Sequence, residues 1–509
     1  MLVGVGIVLL TNWGVDYFIL SRYRTKELQE YRSGQVFSAP ETEQTFRPLK
    51  LGVAFSQAKR VSPVVVTELN TDWGALTFTS EGAALERLEF IRKNDQTEDV
   101  ITTIFPTIER EHKAFIVALD QNTPYYYNLV DTSEDDQYFF LTYEGSYEKG
   151  LLRKRFAVAK HIYKIDLTIE LLASSHAIQN QIRLFLPAPV MPDIKYDTVS
   201  ALVNNIKGSI EKIPYNKLNG QEGWWAPTIF GTENKYFVHA LVADQNNFAQ
   251  RAYFLMAPEN RLISILEGPS VVPQETYSWT MSFYCGPKEA HAMNQVNTQL
   301  EETLDYSGIL APLSKLLLKL LNFLYEYVHN YGLAILLLTV LIKLIMLPFT
   351  ISGERGLKKS NEVQKKMRYL EQKYKNDPEK LRIAQAEVIK KHGLPQLASC
   401  LPMLAQFPIF IALSRVLNNS VDLYQAPFFG WITDLSAPDP YYILPALLIG
   451  GMILQGLSGD PAQRMVTLTA ALVFGAVSAN FAAGLVLYIC ASTLLSVMQI
   501  MIQKSVKAV

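Results

Sequence analysis

Residues 331–349 read YGLAILLLTVLIKLIMLPF, an apolar run whose single charged side chain is Lys343. As a helix rising 1.5 Å per residue this run is about 28 Å long, close to the thickness of a bilayer's hydrocarbon core. A lysine near the middle of a span costs roughly 3 kcal/mol on insertion scales, so it faces protein or water, or its stem snorkels to the nearer interface. About two helical turns separate Lys343 from Thr350, so this stretch alone leaves both outcomes open. Thr339 lies one turn before Lys343 on the same helix face. The span is expected to stop at Pro348.

Just before it, Ala311–Val328 reads APLSKLLLKLLNFLYEYV. Lys315, Lys319, Asn322 and Glu326 recur at helical spacing with leucines around them, which predicts a helix lying in the membrane interface. After the span, residues 353–393 are polar, with Lys and Arg exceeding Asp and Glu by about two to one, and so belong on the cytoplasmic side. Val363, Met367, Leu370 and Tyr374 share one helical face, and Leu381, Ala384 and Val388 continue in a second helix. Asp377 is placed as its N-cap and Pro378 at its first position. A helical hairpin is predicted.

Further apolar blocks follow at Leu397–Val416, which Pro402 and Pro408 interrupt, and at Tyr442–Leu457, Met465–Phe481 and Gly484–Ile502. The last two form a tight transmembrane hairpin around Ala482-Ala483. Trp431, Tyr441 and Tyr442 suit the outer interface. Gln406, Asn480 and Tyr488 are further polar groups in or beside these blocks. A water-filled cavity satisfies such groups and lipid does not. Arg415, near the outer end of its block, is expected to snorkel. Counting crossings from the basic segment puts everything before residue 311 outside the cytoplasm, apart from an N-terminal span.

That earlier part differs in character. Residues 1–20 suit an uncleaved transmembrane anchor, since no small-residue cleavage site follows. Residues 21–61 suit a linker. From residue 62 to 290 short alternating runs dominate. Tyr163, Ile165, Leu167, Ile169 and Leu171 alternate with Lys164, Asp166, Thr168 and Glu170, the pattern of a half-buried strand. Similar runs at Val64–Thr67, Leu76–Thr79, Gln181–Leu186, Tyr236–Val242 and Ser278–Phe283 predict a large antiparallel sandwich. Cys285, Cys400 and Cys490 are too scattered for a disulfide framework or zinc site. His112, His161, His176, His239 and His291 have no metal-ligand spacing and are expected as scattered core or surface residues. Trp224 and Trp225 are expected in packing rather than as a sugar platform. The net charge of −1 across 509 residues gives no reason to invoke nucleic acid.

Several stretches carry a resemblance to one family. PMLAQFPIFIALSRVLNNSVDLYQAPFFGWITDLSAPDPYYILP, LTVLIKLIMLPFT and AAGLVLYICASTLLSVMQ resemble the membrane core of the YidC insertases. LTFTSEGAALERLEF and GWWAPTIFGTENKYF resemble that family's periplasmic domain. The resemblance implies a five-span insertase core (329–509, with the cytoplasmic hairpin 353–393), an N-terminal anchor and a periplasmic β-supersandwich over 62–290. Residues 291–328 connect the two and include the interfacial helix. It also implies a hydrophilic groove, open to cytoplasm and lipid, that receives hydrophobic segments of nascent membrane proteins and releases them into the bacterial inner membrane. The implied groove residues are Lys343, Thr339, Gln406, Phe407, Phe410 and Tyr488. Many members carry Arg at the position of Lys343, and the second tyrosine of the family pair is here Ile489. The Sec translocon, and the ribosome and signal recognition machinery at the basic hairpin, are implied partners. No cofactor and no catalytic residue is implied. Two other classes compete: a transporter or channel, which calls for an inverted repeat that the chain does not show, and a carbohydrate-active enzyme, which needs paired carboxylates in a cleft of the β domain.

Overall fold

The computed structural model describes residues 63–508 apart from 94–97, 108, 120–122, 148–149, 174–179, 191–198, 205–208, 219–222, 258–260, 272–275, 305–309, 376, 393–394 and 457–460. The anchor and linker expected over 1–61, and His176, lie outside the described residues. The chain forms two compact units, one reaching residue 307 and the other formed by 308–418 and 422–508.

The first unit holds, in chain order, β1 (Val66–Asn70), β2 (Gly74–Thr79), β3 (Ala84–Lys93), β4 (Glu98–Ile104), β5 (Ile116–Ala118), β6 (Asn128–Glu134), β7 (Tyr138–Tyr147), β8 (Gly150–Ala159) and β9 (Lys164–Ala173). It continues with β10 (Asn180–Pro187), β11 (Ser200–Asn204), β12 (Ile210–Pro214), β13 (Gly223–Trp225), β14 (Phe230–Glu233), β15 (Phe237–Asp244), β16 (Arg251–Ala257), β17 (Arg261–Val271) and β18 (Thr276–Pro287). They form a nine-stranded sheet, β12-β11-β14-β15-β18-β9-β8-β7-β6, a five-stranded sheet, β13-β16-β17-β10-β5, and the four-stranded meander β1-β2-β3-β4. The named strands pair antiparallel throughout, as the alternating pattern predicted. In β9 the odd residues Ile165, Leu167 and Ile169 are fully buried while their neighbours are half-exposed, because a strand points successive side chains to opposite faces.

One predicted core histidine ties the three sheets together. His239, in β15, is fully buried. Its Nδ1 donates to the Pro187 carbonyl of β10 at 3.1 Å, and its Nε2 lies 3.3 Å from the Thr103 hydroxyl of β4. Burial lowers its pKa from the usual 6.5 to about 4. Lys154 of β8 is also fully buried and donates to the carbonyls of Gly82, Ala83 and Phe115 at 2.5 to 3.0 Å. All three acceptor residues have positive φ (76°, 42° and 63°), so the lysine braces two turns that the backbone alone disfavours. Trp224 packs against Phe230 and Phe254, whereas Trp225 is exposed. A short helix, α1 (Ala290–Val296), follows β18.

The second unit is helical: α2 (Ala311–Val328), α3 (Tyr331–Lys373), α4 (Pro378–His392), α5 (Pro395–Asn419), α6 (Ile443–Gly456), α7 (Pro461–Ser478) and α8 (Ala483–Ala508). Helix α2 buries Ser314, Leu317 and Leu321 and leaves Lys315, Lys319 and Glu326 exposed. Asn330 starts α3, its side chain accepting from the Leu333 amide at 3.0 Å. One proline expectation holds and one is corrected. The membrane-length apolar stretch does end at Pro348, although helix α3 itself runs on through it, whereas α5 passes uninterrupted through Pro402 and Pro408. A proline removes one intrahelical bond and pushes on the preceding turn, a cost that both helices carry without breaking. Helices α3 and α4 pack against each other, and Asp377 caps α4 by accepting from the Lys380 amide at 3.2 Å.

Among the described residues one stretch, Tyr331–Pro348, is by itself long and apolar enough to cross a membrane; Ile443–Gly456, Leu468–Ser478 and Ala483–Gln499 are shorter apolar segments. The 14 residues of α6 span about 21 Å at 1.5 Å each. The loop between α5 and α6 is pinned by two carboxylates. Asp434 accepts from the amides of Gln425 and Ser436, and the buried Asp439 accepts from Trp431 Nε1 and the amides of Tyr441 and Leu444.

Candidate functional site

Helix α8 places hydroxyls at i, i+4 and i+8: Tyr488, Ser492 and Ser496. At 3.6 residues per turn these form a stripe along one face. Leu494, Met498, Met501 and Ile502 are exposed elsewhere on the same helix. Helix α3 packs against α8 and brings Lys343 to this stripe. The Lys343 ammonium donates to Ser496 Oγ at 2.8 Å. Ser496 Oγ in turn donates to the Ser492 carbonyl at 2.9 Å. From α5, Gln406 Nε2 donates to Ser492 Oγ at 3.1 Å. One polar line therefore joins three helices: Lys343, Ser496, Ser492, Gln406.

The other expected residues take different places. Thr339 is fully buried and donates to the Ile335 carbonyl of its own helix at 2.7 Å, so its hydroxyl is absorbed by the backbone rather than by the line. Tyr488 is buried, and its hydroxyl lies beside the Gln406 side chain. Phe407 and Phe410 are half-buried on α5, with Phe410 one turn beyond Gln406 on the same face. Asn480 is exposed in the turn between α7 and α8, away from any span interior. Ser492 and Ser496 were not among the expected residues. The hydroxyl spacing was visible in the sequence, but only the packing of α3 on α8 shows that Lys343 uses it.

Electrostatically the line is one-sided. Among the described residues Ser496 is the one hydrogen-bond partner of the Lys343 ammonium, and no carboxylate pairs with it. An ammonium has three donors, so two remain for water or for an incoming acceptor. Around it Val340, Leu341, Leu344, Ile345 and Leu347 are exposed, an apolar surface of the kind that faces lipid or a partner. The site offers a fixed cation, amide and hydroxyl groups and apolar walls. One close pair of carboxylates in the β unit is held by a lysine: Glu81 and Glu86 lie 3.4 and 3.6 Å from the buried Lys113 ammonium, and the Tyr125 hydroxyl donates to Glu81. Burial, with Glu81 beside it, pushes that phenol up to about 12.

Two family models cover most of the chain: a YidC periplasmic domain over residues 68–320 and a 60Kd inner membrane protein over residues 323–508. The membrane protein insertase YidC of Syntrophus aciditrophicus is 33% identical over 387 residues, 73% of this chain and 70% of that protein. The protein of the same name from Geobacter metallireducens is 29% identical over 501 residues, 92% of this chain and 91% of the other. Among solved structures, the crystal structure of an active YidC insertase with its first transmembrane domain resolved matches with a TM-score of 0.37 at 17% identity, covering 88% of this chain and 94% of that one.

Proposed function

The chain belongs to the YidC family of membrane protein insertases, and on that premise we propose that the line from Lys343 to Gln406 is where a client segment is received. As a member of that family it inserts nascent membrane proteins into the lipid of the bacterial inner membrane and carries a periplasmic β domain. Within it, Lys343, Gln406, Phe407 and Phe410 meet the client, and the buried Thr339 and Tyr488 form the wall behind them. The observation that carries this reading is a cation in an apolar run held by one serine and, among the described residues, by no carboxylate.

The polar part of a client pauses in this hydrated notch while its apolar part leaves sideways between exposed leucines and isoleucines. The free energy comes from the client, whose apolar surface is transferred to lipid at about 25 cal/mol per Å². The notch lowers the barrier by shortening the apolar distance a polar segment must cross. The finer architecture belongs to the same reading: an N-terminal anchor over 1–20, five spans built on α3, α5, α6, α7 and α8, and α3–α4 projecting into the cytoplasm as a basic hairpin. That hairpin receives the ribosome or the signal recognition machinery, and the core works alone or beside the Sec translocon.

Site-specific photo-crosslinking tests the proposal. A photoreactive residue at Gln406, Phe407 or Phe410 is expected to capture a stalled nascent membrane protein, and one at exposed Tyr369 of α3 is the comparison. Absence of crosslinks from all three core positions, in protein that reaches the membrane folded, overturns it.

A further inference from the structure

We infer that Ser496 is the positioning residue that makes the Lys343 charge usable, by holding the ammonium at a fixed depth and in one orientation. The argument rests on the reading of this line as the client site and goes beyond it in assigning the serine a task. A lysine side chain has four rotatable carbons and, on a membrane helix, a strong pull toward the nearer interface. About two turns separate Lys343 from the polar part of α3, so snorkelling is open to it. What opposes that pull is the acceptor at 2.8 Å on the facing helix.

The acceptor is itself fixed. A serine hydroxyl has one proton and two lone pairs. Ser496 spends its proton on the Ser492 carbonyl, one turn back on α8, at 2.9 Å. Its lone pairs are thereby turned away from its own helix and toward α3, and the hydroxyl cannot turn round to compete as a donor. Ser492, with its own hydroxyl taken by Gln406 at 3.1 Å, ties the same turn of α8 to α5. Three helices thus fix the position of one ammonium while using one of its three protons. The other two are left for whatever comes to the site. A carboxylate on the translocated part of a client is the chemistry that uses both protons and the charge together.

The test separates this role from ordinary packing. Full-length protein in proteoliposomes is given two versions of one single-span client, differing by one Asp or Asn in the segment that crosses, and insertion is scored by protease protection. Lys343→Gln is expected to lower insertion of the Asp client selectively. Ser496→Ala is expected to lower it about tenfold, the order of one hydrogen bond to a charge, with the Asn client unchanged. Ser496→Thr, which keeps the hydroxyl, is expected to restore it. In the Lys343→Gln background Ser496→Ala is expected to add nothing, because there is no ammonium left to hold. Equal losses on both clients, failure of threonine to restore, or a full additional loss in the double variant each overturn the positioning role. If Ser496→Ala does not reach the membrane, the comparison of threonine with valine at the same position decides the same point. A Lys343→Gln variant that inserts both clients normally overturns instead the reading of the line as the client site.

Discussion

Acidification should loosen the β domain through a single side chain, His239. In the unfolded chain this imidazole takes up a proton near pH 6.5; in the folded chain burial holds its pKa down at about 4. The folded pKa is depressed, so between those values the unfolded state binds more protons, and stability is lost as pH falls. At 1.36 kcal/mol per unit the full gap is worth about 3 kcal/mol, of which about 2 kcal/mol disappears between pH 7 and pH 4.5. The geometry explains the direction. The Pro187 carbonyl can only accept, so Nδ1 carries the proton and Nε2 accepts from the Thr103 hydroxyl. A second proton on Nε2 forces that hydroxyl to turn round and leaves a cation buried among three sheets with, among the described residues, no carboxylate paired to it. His239→Gln is the control, keeping one donor and one acceptor without titrating. Urea unfolding followed through the buried Trp73 and Trp279 should show the stability difference between wild type and His239→Gln shrinking by about 2 kcal/mol from pH 7 to pH 4.5. Carboxylates titrate in the same window but in both proteins, so they cancel. Parallel pH profiles for the two proteins would refute the argument.

Lys154→Met should destabilise the β domain by about 3 kcal/mol or more, because it strips the donor from three buried carbonyls at once; a shift in urea midpoint worth less than 1 kcal/mol counts against the bracing role. Lys343→Arg is expected to insert clients normally, since it keeps the cation and reaches the same serine, whereas Lys343→Glu should impair clients with acidic outer segments. A cell-depletion complementation assay with matched acidic and neutral clients reads that difference, and equal insertion by both variants would show that the sign of the charge has no role.

How much of this was legible in the sequence depended on how local the cause was. The strand at β9 is visible because period-two alternation is a property of consecutive residues, and the α3–α4 break is visible because Asp377 and Pro378 act within one turn. Sheet order was not legible. β9 pairs with β18, more than a hundred residues away, a partnership fixed by which faces bury each other and sealed by contacts such as Thr168–Thr280 at 3.0 Å. Proline marked the end of the apolar stretch at Pro348 but misled at Pro402 and Pro408, because the rule that proline breaks a helix is calibrated for water, where a freed backbone group finds a partner. Lys343, Gln406 and Tyr488 stood out as polar residues in apolar runs. Ser492 and Ser496 did not, since a serine in a membrane helix commonly returns its proton to its own backbone. Ser496 does so too, and what matters is the lone pair that this leaves over.

That lone pair also bears on whether the Lys343 charge serves clients or only keeps the site wet. A lysine at membrane depth costs roughly 3 kcal/mol, and one charge-assisted hydrogen bond returns about 1.5–3 kcal/mol of it. Ser496 alone therefore brings the cost close to balance but leaves two protons to be satisfied, and with no carboxylate paired to it among the described residues water is the partner available at rest. On the proposed reading a client's carboxylate takes those same positions. It gains the difference between an ion contact and the water it displaces, not the full strength of an ion pair, and ordered water is nearly as good a partner as a direct bond. Hydration and client attraction are thus the empty and occupied states of one pair of donors. The attraction must then be modest, which suits a site that has to release what it receives: a buried carboxylate partner within the protein would hold the lysine better and leave it nothing to offer.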